Sequence, residues 1–532
     1  MKRVADFIYR LGNDIFKYLF LVFMGILSAG ALIITEMSNN MSEQKMVMSV
    51  DRLIYTLPLT ILLAAAGIAL GLLAKKKPRV VLNVMTVLVC VWYFAAGTVL
   101  ILLARSKPGA DAWTVYQMAD AVSGNDLSVI DPRNSYMSYY PQQIGLTTFL
   151  AGILWVLHHF TLPIAEFHVI KFLYVVMICI ATVAQYRVVR RLWESDAACC
   201  IYLFISAINL PYIMYSTFLY SEIPSYCFFS LGVWFLTEIM AKEYKRPQRI
   251  VLAGFSVVFF TIAVMLRKNI LVLMIAVLIA TVFHFLKTKR PEWLIYTGVC
   301  AICCITILPA VVAVYEHAAG RELYSGVTAK SYFAMGMQDD STRGPGWYNG
   351  FNFNTYERAM VDMAEAGKSN SDAVAEEANR VSGEAISERL AYFKANPGYA
   401  VGFYARKFST QWYDGTYASL QATQATESNR AAFFNELYEG KYTAGYVNFC
   451  NALQNVVYIG ALIGSISLAR RKKETDFWKY MLAIGVFGGF LFHMLWEACS
   501  RYIVTYSFLL IPYAAFGLSL VPRLFKKSSK VS

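Results

Sequence analysis

Charged residues are scarce in this chain. Only 16% of its 532 residues are Asp, Glu, Lys or Arg, against about 25% in an ordinary soluble protein, and this excludes a soluble enzyme. A disulfide scaffold is absent too. The ten cysteines (Cys90, Cys179, Cys199, Cys200, Cys227, Cys300, Cys303, Cys304, Cys450 and Cys499) fall in or beside apolar runs, and none lies in the long hydrophilic segment. Cys300, Cys303 and Cys304 share a lipid-length run without a second His/Cys pair, so they read as buried small hydrophobes, not metal ligands. There is no solenoid-type repeat, low-complexity tract or inverted duplication. Inside the apolar runs charge is nearly missing, since Lys171, His284 and His493 sit near run ends. The last two absences weigh against a transporter or flippase, which needs paired halves and charges deep in its spans.

What is present is apolar surface. Hydrophobic residues make up 57% and aromatics 15%, mean hydropathy is +0.46, and runs of about 20 apolar residues recur, each long enough to cross a bilayer. Disorder, collagen and coiled coil are excluded, and the fold class is an all-α polytopic membrane protein. The net charge of +13 is gathered in short clusters between the runs: Lys2/Arg3/Arg10/Lys17, Lys75/Lys76/Lys77/Arg79, Arg187/Arg190/Arg191, Lys242/Lys245/Arg246/Arg249, Lys287/Lys289/Arg290, Arg470/Arg471/Lys472/Lys473 and Arg523/Lys526/Lys527/Lys530. Clusters flanking spans are what cytoplasmic loops carry, so the basicity reports topology, and nucleic acid is not an expected partner.

Twelve spans are predicted: Lys17 to Thr35, Leu53 to Ala74, Val80 to Ala104, Glu166 to Tyr186, Ala197 to Met214, Ile223 to Met240, Ile250 to Leu266, Ile270 to Leu286, Leu294 to Val314, Tyr446 to Ala469, Trp478 to Leu495 and Tyr502 to Val521. The first resembles a signal sequence but is expected to stay as an uncleaved helix. With the N-terminus inside, every basic cluster falls inside, and both termini are cytoplasmic in the cell membrane. Gln142 to Phe160 is also long enough to cross. Counting it would put the later clusters outside, and it ends in His158 and His159 with Pro163 following, so it is predicted to lie in the interface or to re-enter.

The chain then divides into spans over 1–104, a first extracytoplasmic loop with interfacial helices over 105–165, spans over 166–314, an extracytoplasmic domain over 315–445 and closing spans with a cytoplasmic tail over 446–532. In the domain, Glu357 to Ala395 reads as helix with Asn396-Pro397-Gly398 as its stop, while Gly344-Pro345-Gly346 and Asn349-Gly350 mark turns.

Candidate site residues cluster on the outer side. Asp111 begins an interfacial helix that carries Trp113 and Tyr116, where it is either a simple N-cap or a functional carboxylate. Glu222, beside Pro224 at the mouth of a span, is a second acid on that side. Arg267, Lys268 and Asn269 form a tight outer turn against the prevailing charge direction, suited to a phosphate or to lipid headgroups. Glu497 and Arg501 stand four apart between Trp496 and Tyr502, either as an ion pair on one helical face or as part of a sugar-phosphate site. Trp347, Tyr348 and Asn349 lie in a glycine-rich aromatic loop, which serves either polar-ligand contact or its own packing.

The plan of span, acidic outer loop, interfacial helix and second acid before Pro, with Gly-Pro-Gly-Trp-Tyr-Asn-Gly-Phe and Leu-Trp-Glu-Ala-Cys-Ser-Arg-Tyr, resembles the C-type-fold (GT-C) membrane glycosyltransferases. Within them it is most similar to the family 39-like relatives of polyprenyl-phosphate-mannose protein mannosyltransferases in Gram-positive bacteria. The resemblance implies that Asp111 is the general base and that Glu222 stands where the family usually has Asp. Two spans precede the one leading to Asp111, so the family's first helix corresponds to the third here. A divalent metal is left as an open cofactor.

The chemistry agrees. A sugar hydroxyl needs a carboxylate, ordinary pKa near 4, within about 3 Å to take its proton, and a departing phosphate needs cations. Asp111 suits the first role; Arg267, Lys268 and Arg501 suit the second. The expected activity is inverting transfer from a polyprenyl-phosphate sugar to a glycan, lipid or protein acceptor on the outer face. A ligase or polymerase of lipid-linked glycans, and a non-enzymatic lipid or glycan flippase, are the alternatives.

Overall fold

The computed structural model describes residues 2–38, 46–128, 136–340, 344–368, 370–425, 430–471 and 475–528. Parts of the first outer loop, Ser341 to Arg343 of the turn-rich loop, and the basic-cluster residues Lys472, Lys473 and Lys530 lie outside these.

In chain order the helices are α1 (Lys2–Ala31), α2 (Leu53–Lys76), α3 (Pro78–Val99), α4 (Asp111–Ser123), α5 (Tyr136–Tyr139), α6 (Ile144–Leu157), α7 (Glu166–Trp193), α8 (Asp196–Ala207), α9 (Leu210–Met214), α10 (Glu222–Ala241), α11 (Arg246–Leu266), α12 (Ile270–Thr288), α13 (Glu292–Ala319), α14 (Ala329–Met335), α15 (Phe351–Glu365), α16 (Ser371–Ala395), α17 (Pro397–Trp412), α18 (Ser419–Thr423), α19 (Ala432–Glu439), α20 (Thr443–Ala469), α21 (Met481–Leu495) and α22 (Ser500–Ser528). Among the described residues eleven helices are long and apolar enough to cross a membrane, or twelve if one bent pair counts as a span. That pair falls on the predicted fifth span: residues 196–207 and 210–217 meet at 59°. Pro211 explains the break, because it disfavours helix at Leu210 and lacks an N–H, while Asn209 caps the new start by accepting from the Tyr212 N–H at 3.2 Å.

α22 is the axis of the bundle. Its apolar window is 94% buried, whereas that of α13 is 11% and that of α3 is 28%. α20 and α8 pack on α22, and α7, α10 and α11 form a second layer. Described residues of the basic clusters meet at one end, tied across helices by Arg249–Glu292 at 2.9 Å, Lys289–Asp6 at 3.3 Å, Arg290–Glu243 at 2.9 Å and Arg191–Glu238 at 2.9 Å. This is the grouping that the parity argument required. The apolar run after residue 141 is a 14-residue helix, α6, too short to cross, since about 20 residues are needed. It packs against α4 at the opposite end, where His158 reaches Asp120 at 3.2 Å and Glu166 at 3.7 Å.

Two features depart from the sequence expectations. A hairpin, β1 (Ile34–Ser38) with β2 (Met46–Val50), follows α1; it is anchored by Glu36, fully buried, which accepts from Arg406 at 3.1 Å and from Ser409. The helix predicted over 357–395 is two, α15 and α16, parted at Gly367 with φ +70°. α16 ends at Ala395 as expected, yet Pro397 opens α17 at once. Proline tolerates a helix's first position because that N–H is unpaired anyway, so Asn-Pro-Gly stops α16 and at the same corner starts α17.

Candidate active site

The strand of chain entering Asp111 is held from several sides. α3 ends in a π-helical turn, Leu100–Ala104, and Arg105 takes a left-handed φ of +49°. The Ser106 carbonyl accepts from the buried Lys171 ammonium, and the Lys107 N–H donates to Ala425 at 2.9 Å. Ala110 then adopts φ +47°, a region costly for a residue with a Cβ. α4 starts immediately after. Asp111 is therefore the first helical residue and not the cap; the cap position is Ala110 and no side chain caps the helix. Its carboxylate is exposed and, among the described residues, makes no hydrogen bond or ion pair. The helix dipole favours negative charge at this position.

Glu222 is built the opposite way. It opens α10 and is only 2% exposed, with Arg267 Nη1 at 3.4 Å and Arg501 Nε at 3.9 Å. Arg501 also lies over the rings of Phe218, Tyr220 and Tyr502 at 5.4, 5.6 and 5.4 Å. Neither Glu222 oxygen, nor Arg267 Nη1, nor Arg501 Nε has a hydrogen-bond partner among the described residues. Two guanidiniums and one carboxylate leave this buried cluster with an excess positive charge.

A wall of tyrosines lies within reach of the Asp111 charge. Burial, with the charge of Asp111 adding to it, pushes the hydroxyls of Tyr136, Tyr140, Tyr220 and Tyr332 above their ordinary range; Glu497 acts on Tyr140 and Tyr332 as well. The wall thus links Asp111 to the Leu495–Ser500 connection. Gln143 Nε2 donates to the Tyr220 hydroxyl, which ties the turn before α6 to the turn before α10.

Glu497 accepts from the Tyr502 hydroxyl at 2.9 Å. Burial pushes its carboxyl up to about 7, against the pull of Tyr502 and Arg501. The pair four apart is therefore not the ion pair considered from spacing: Arg501 faces Glu222. Lys407, fully buried on α17, donates to the carbonyls of Gly336 and of Trp496, the latter at 2.7 Å, and burial pushes its ammonium down to about 7. It pins the turn-rich loop to the α21–α22 connection. The same junction explains Gly346, whose φ is +69° and whose Cβ would lie 2.6 Å from the Gly336 oxygen.

The remaining predicted residues divide. Lys268 is exposed at the same end, without an ion pair among the described residues, and Asn269 is the half-buried residue before α12. Trp347 is buried, donates its indole N–H to Thr410 at 3.1 Å and packs on Ala498. Asn349 accepts from the Phe351 N–H at 2.9 Å. Both side chains are engaged in the loop's own packing. Tyr348 is half-buried near Tyr140, and Trp496 stacks on Phe492 at 4.9 Å.

Sequence reasoning missed Tyr136, Tyr140, Gln143, Tyr220, Tyr332 and Lys407. The dense Tyr136-Met-Ser-Tyr139-Tyr140-Pro141-Gln142-Gln143 stretch was a signal for the first three; Lys407, next to Arg406, looks like surface charge and offered none.

A family model described as "Conserved hypothetical integral membrane protein" matches residues 8–519. No curated protein sequence matches the chain. Among solved structures it is similar, at 13% identity, to the archaeal oligosaccharyltransferase AglB from Archaeoglobus fulgidus in complex with an inhibitory peptide and a dolichol-phosphate (TM-score 0.43, covering 86% of this chain and 52% of that one). Also similar at 13% identity are the Archaeoglobus fulgidus oligosaccharyltransferase tethered to an acceptor peptide (TM-score 0.44, covering 82% and 49%) and the apo form (TM-score 0.44, covering 83% and 51%). The chain spans about half the length of these structures.

Proposed function

The chain belongs to this family of integral membrane proteins, and from that premise we propose that it is a glycosyltransferase moving a sugar from a polyprenyl-phosphate donor to an acceptor at the end of the bundle that carries Asp111. We read that end as extracytoplasmic, because the basic clusters occupy the other. The observation that carries the proposal is an exposed carboxylate, without a partner among the described residues, at the same end as a positively charged cluster, with Tyr220 feeling the charge of both.

In the proposed reaction the acceptor hydroxyl oxygen attacks the anomeric carbon and its proton passes to an Asp111 carboxylate oxygen. The bond from that carbon to the phosphate oxygen breaks, and polyprenyl phosphate leaves with the bonding electrons. Arg267, Arg501 and Lys268 neutralise the leaving phosphate, so no strong acid is required. The lipid-exposed helices beside the site suit a polyprenyl tail. Among the described residues no three His, Cys, Asp or Glu side chains are grouped to hold a metal, and the guanidiniums at Glu222 repel a divalent cation there. Metal use is decided by the chelator arm of the test below, and no step is routed through a metal.

The test is transfer of radiolabelled sugar from a panel of polyprenyl-phosphate sugars by purified protein in lipid, with Asp111→Asn and a chelator as further arms. Turnover by the native protein and none by the variant supports the reading. Absence of turnover with every monophosphate donor shifts it to the ligase or flippase, and turnover by Asp111→Asn removes Asp111 as base.

A further inference from the structure

At the basic end of the bundle, where α3 begins and α7 ends, lies a cleft of about 520 Å³. It is the full length of a transmembrane helix away from Asp111, about 40 Å at 1.5 Å per residue, and the proposed transfer makes no use of it. Arg79, Arg187 and Arg190 face it, with Asp196 as the sole acid in its lining. Asp196 is taken up by Arg190 at 2.7 Å. Arg79 and Arg187 are exposed and make no ion pair or hydrogen bond among the described residues; Arg187 rests only over the rings of Tyr186 and Trp234 at 5.8 and 6.0 Å. The first turn of α3 also lines the cleft, and no side chain caps it, so its partial positive charge adds to theirs.

The walls change character with depth. Leu82, Val87 and Val183 line the part towards the bilayer centre together with Asn83 and with Thr86, whose hydroxyl donates to the Leu82 carbonyl at 2.7 Å, and Val87 stands about 13 Å along α3 from Pro78. Cations at the headgroup level with an apolar wall above match a molecule with a phosphate head and an acyl tail. A free phosphate would use only the lower half, and a neutral lipid would leave two guanidiniums unmatched. We propose that this cleft binds the headgroup of an anionic phospholipid, with Arg79 and Arg187 holding its phosphate and one chain lying along Leu82, Val87 and Val183.

The experiment uses the full-length protein purified in detergent. Retained lipid is counted by native mass spectrometry, and thermal unfolding is followed with phosphatidylglycerol, phosphatidylcholine or glycerol phosphate added. The native protein is expected to prefer phosphatidylglycerol over phosphatidylcholine by about tenfold, as two basic side chains at a membrane surface allow, and glycerol phosphate is expected to leave its unfolding unchanged. Arg79→Ala with Arg187→Ala, both exposed and remote from the transfer site, should bring the preference to near unity. Lys245→Ala with Arg246→Ala, exposed at the same end but outside the cleft, should retain it. A preference that survives the first pair, or is lost equally in the second, overturns the assignment. Stabilisation by glycerol phosphate equal to that by phosphatidylglycerol overturns the lipid in favour of a soluble phosphate.

Discussion

Asp111 and Glu222 each open a helix at the same end of the bundle, yet their surroundings are opposite. Asp111 is exposed and, among the described residues, unpaired, set in place by the backbone of 104–110, with Ala110 bent to φ +47°. Glu222 is 2% exposed and held between Arg267 and Arg501. A group that takes up a proton in each turnover needs access and free lone pairs. A group that orders two guanidiniums needs burial, where charge is felt most strongly. Under the proposed function the contrast assigns Asp111 the reacting role and Glu222 a positioning one, although the sequence offers both as acids beside a helix start.

Substitution at the two positions should therefore fail in different ways. Asp111→Asn is expected to lower transfer by about 10²–10⁴-fold, the usual worth of a general base, with the unfolding temperature unchanged; an equal loss of stability would make Asp111 structural. Glu222→Gln is expected to cost up to about 3 kcal/mol of stability, the low end for breaking a buried pair, because two part-buried guanidiniums lose their counter-charge. Adding Arg267→Met should recover part of that in thermal unfolding, and no recovery would show that Glu222 acts through another contact.

Lys407 and Glu497 extend the contrast to the junction between the outer domain and the α21–α22 connection. Lys407→Met leaves the Gly336 and Trp496 carbonyls unpaired and is expected to cost about 1–3 kcal/mol each in a buried setting; a neutral result would show that the loop is held by Trp347 alone. The Glu497 carboxyl, raised to about 7 from its ordinary 4.5, binds its proton more tightly folded than unfolded. Its contribution to stability is complete below pH 4.5 and is lost as pH rises through 7. Glu497→Gln should flatten that part of the stability profile, and an unaltered slope between pH 4.5 and 7 would remove Glu497 as its source.

The sequence carried the bundle well, because lipid imposes a run length on each segment. Parity, with His158, His159 and Pro163 at its end, demoted the run after Gln142, and α6 is too short to cross. Local breaks were harder. Pro211 and Gly367 divided elements whose apolar pattern continued through them, and the β1–β2 hairpin had no alternation strong enough to notice. In the site, Asp111, Glu222, Arg267 and Arg501 were legible as charges out of keeping with their surroundings. Their partners were not: spacing put Arg501 with Glu497, whereas the packing of α22 against the start of α10 turns it to Glu222. Long-range pairing of this kind leaves no period in the chain.

Lys268 gives the smallest effect and the finest division. It shares a turn with Arg267, but its side chain is exposed, so its attraction for an anionic donor is screened by salt, with a Debye length of about 10 Å at 0.1 M and about 3 Å at 1 M. Lys268→Ala is expected to raise KM for a polyprenyl-phosphate donor a few-fold at low ionic strength, to leave kcat unchanged, and to match the native protein in 1 M salt. Arg267→Ala, whose guanidinium is inside the cluster, should stay impaired at both ionic strengths. If Lys268→Ala also lowers kcat in 1 M salt, the lysine reaches the leaving phosphate itself, and the boundary between the buried cluster and its exposed rim falls one residue further along the chain.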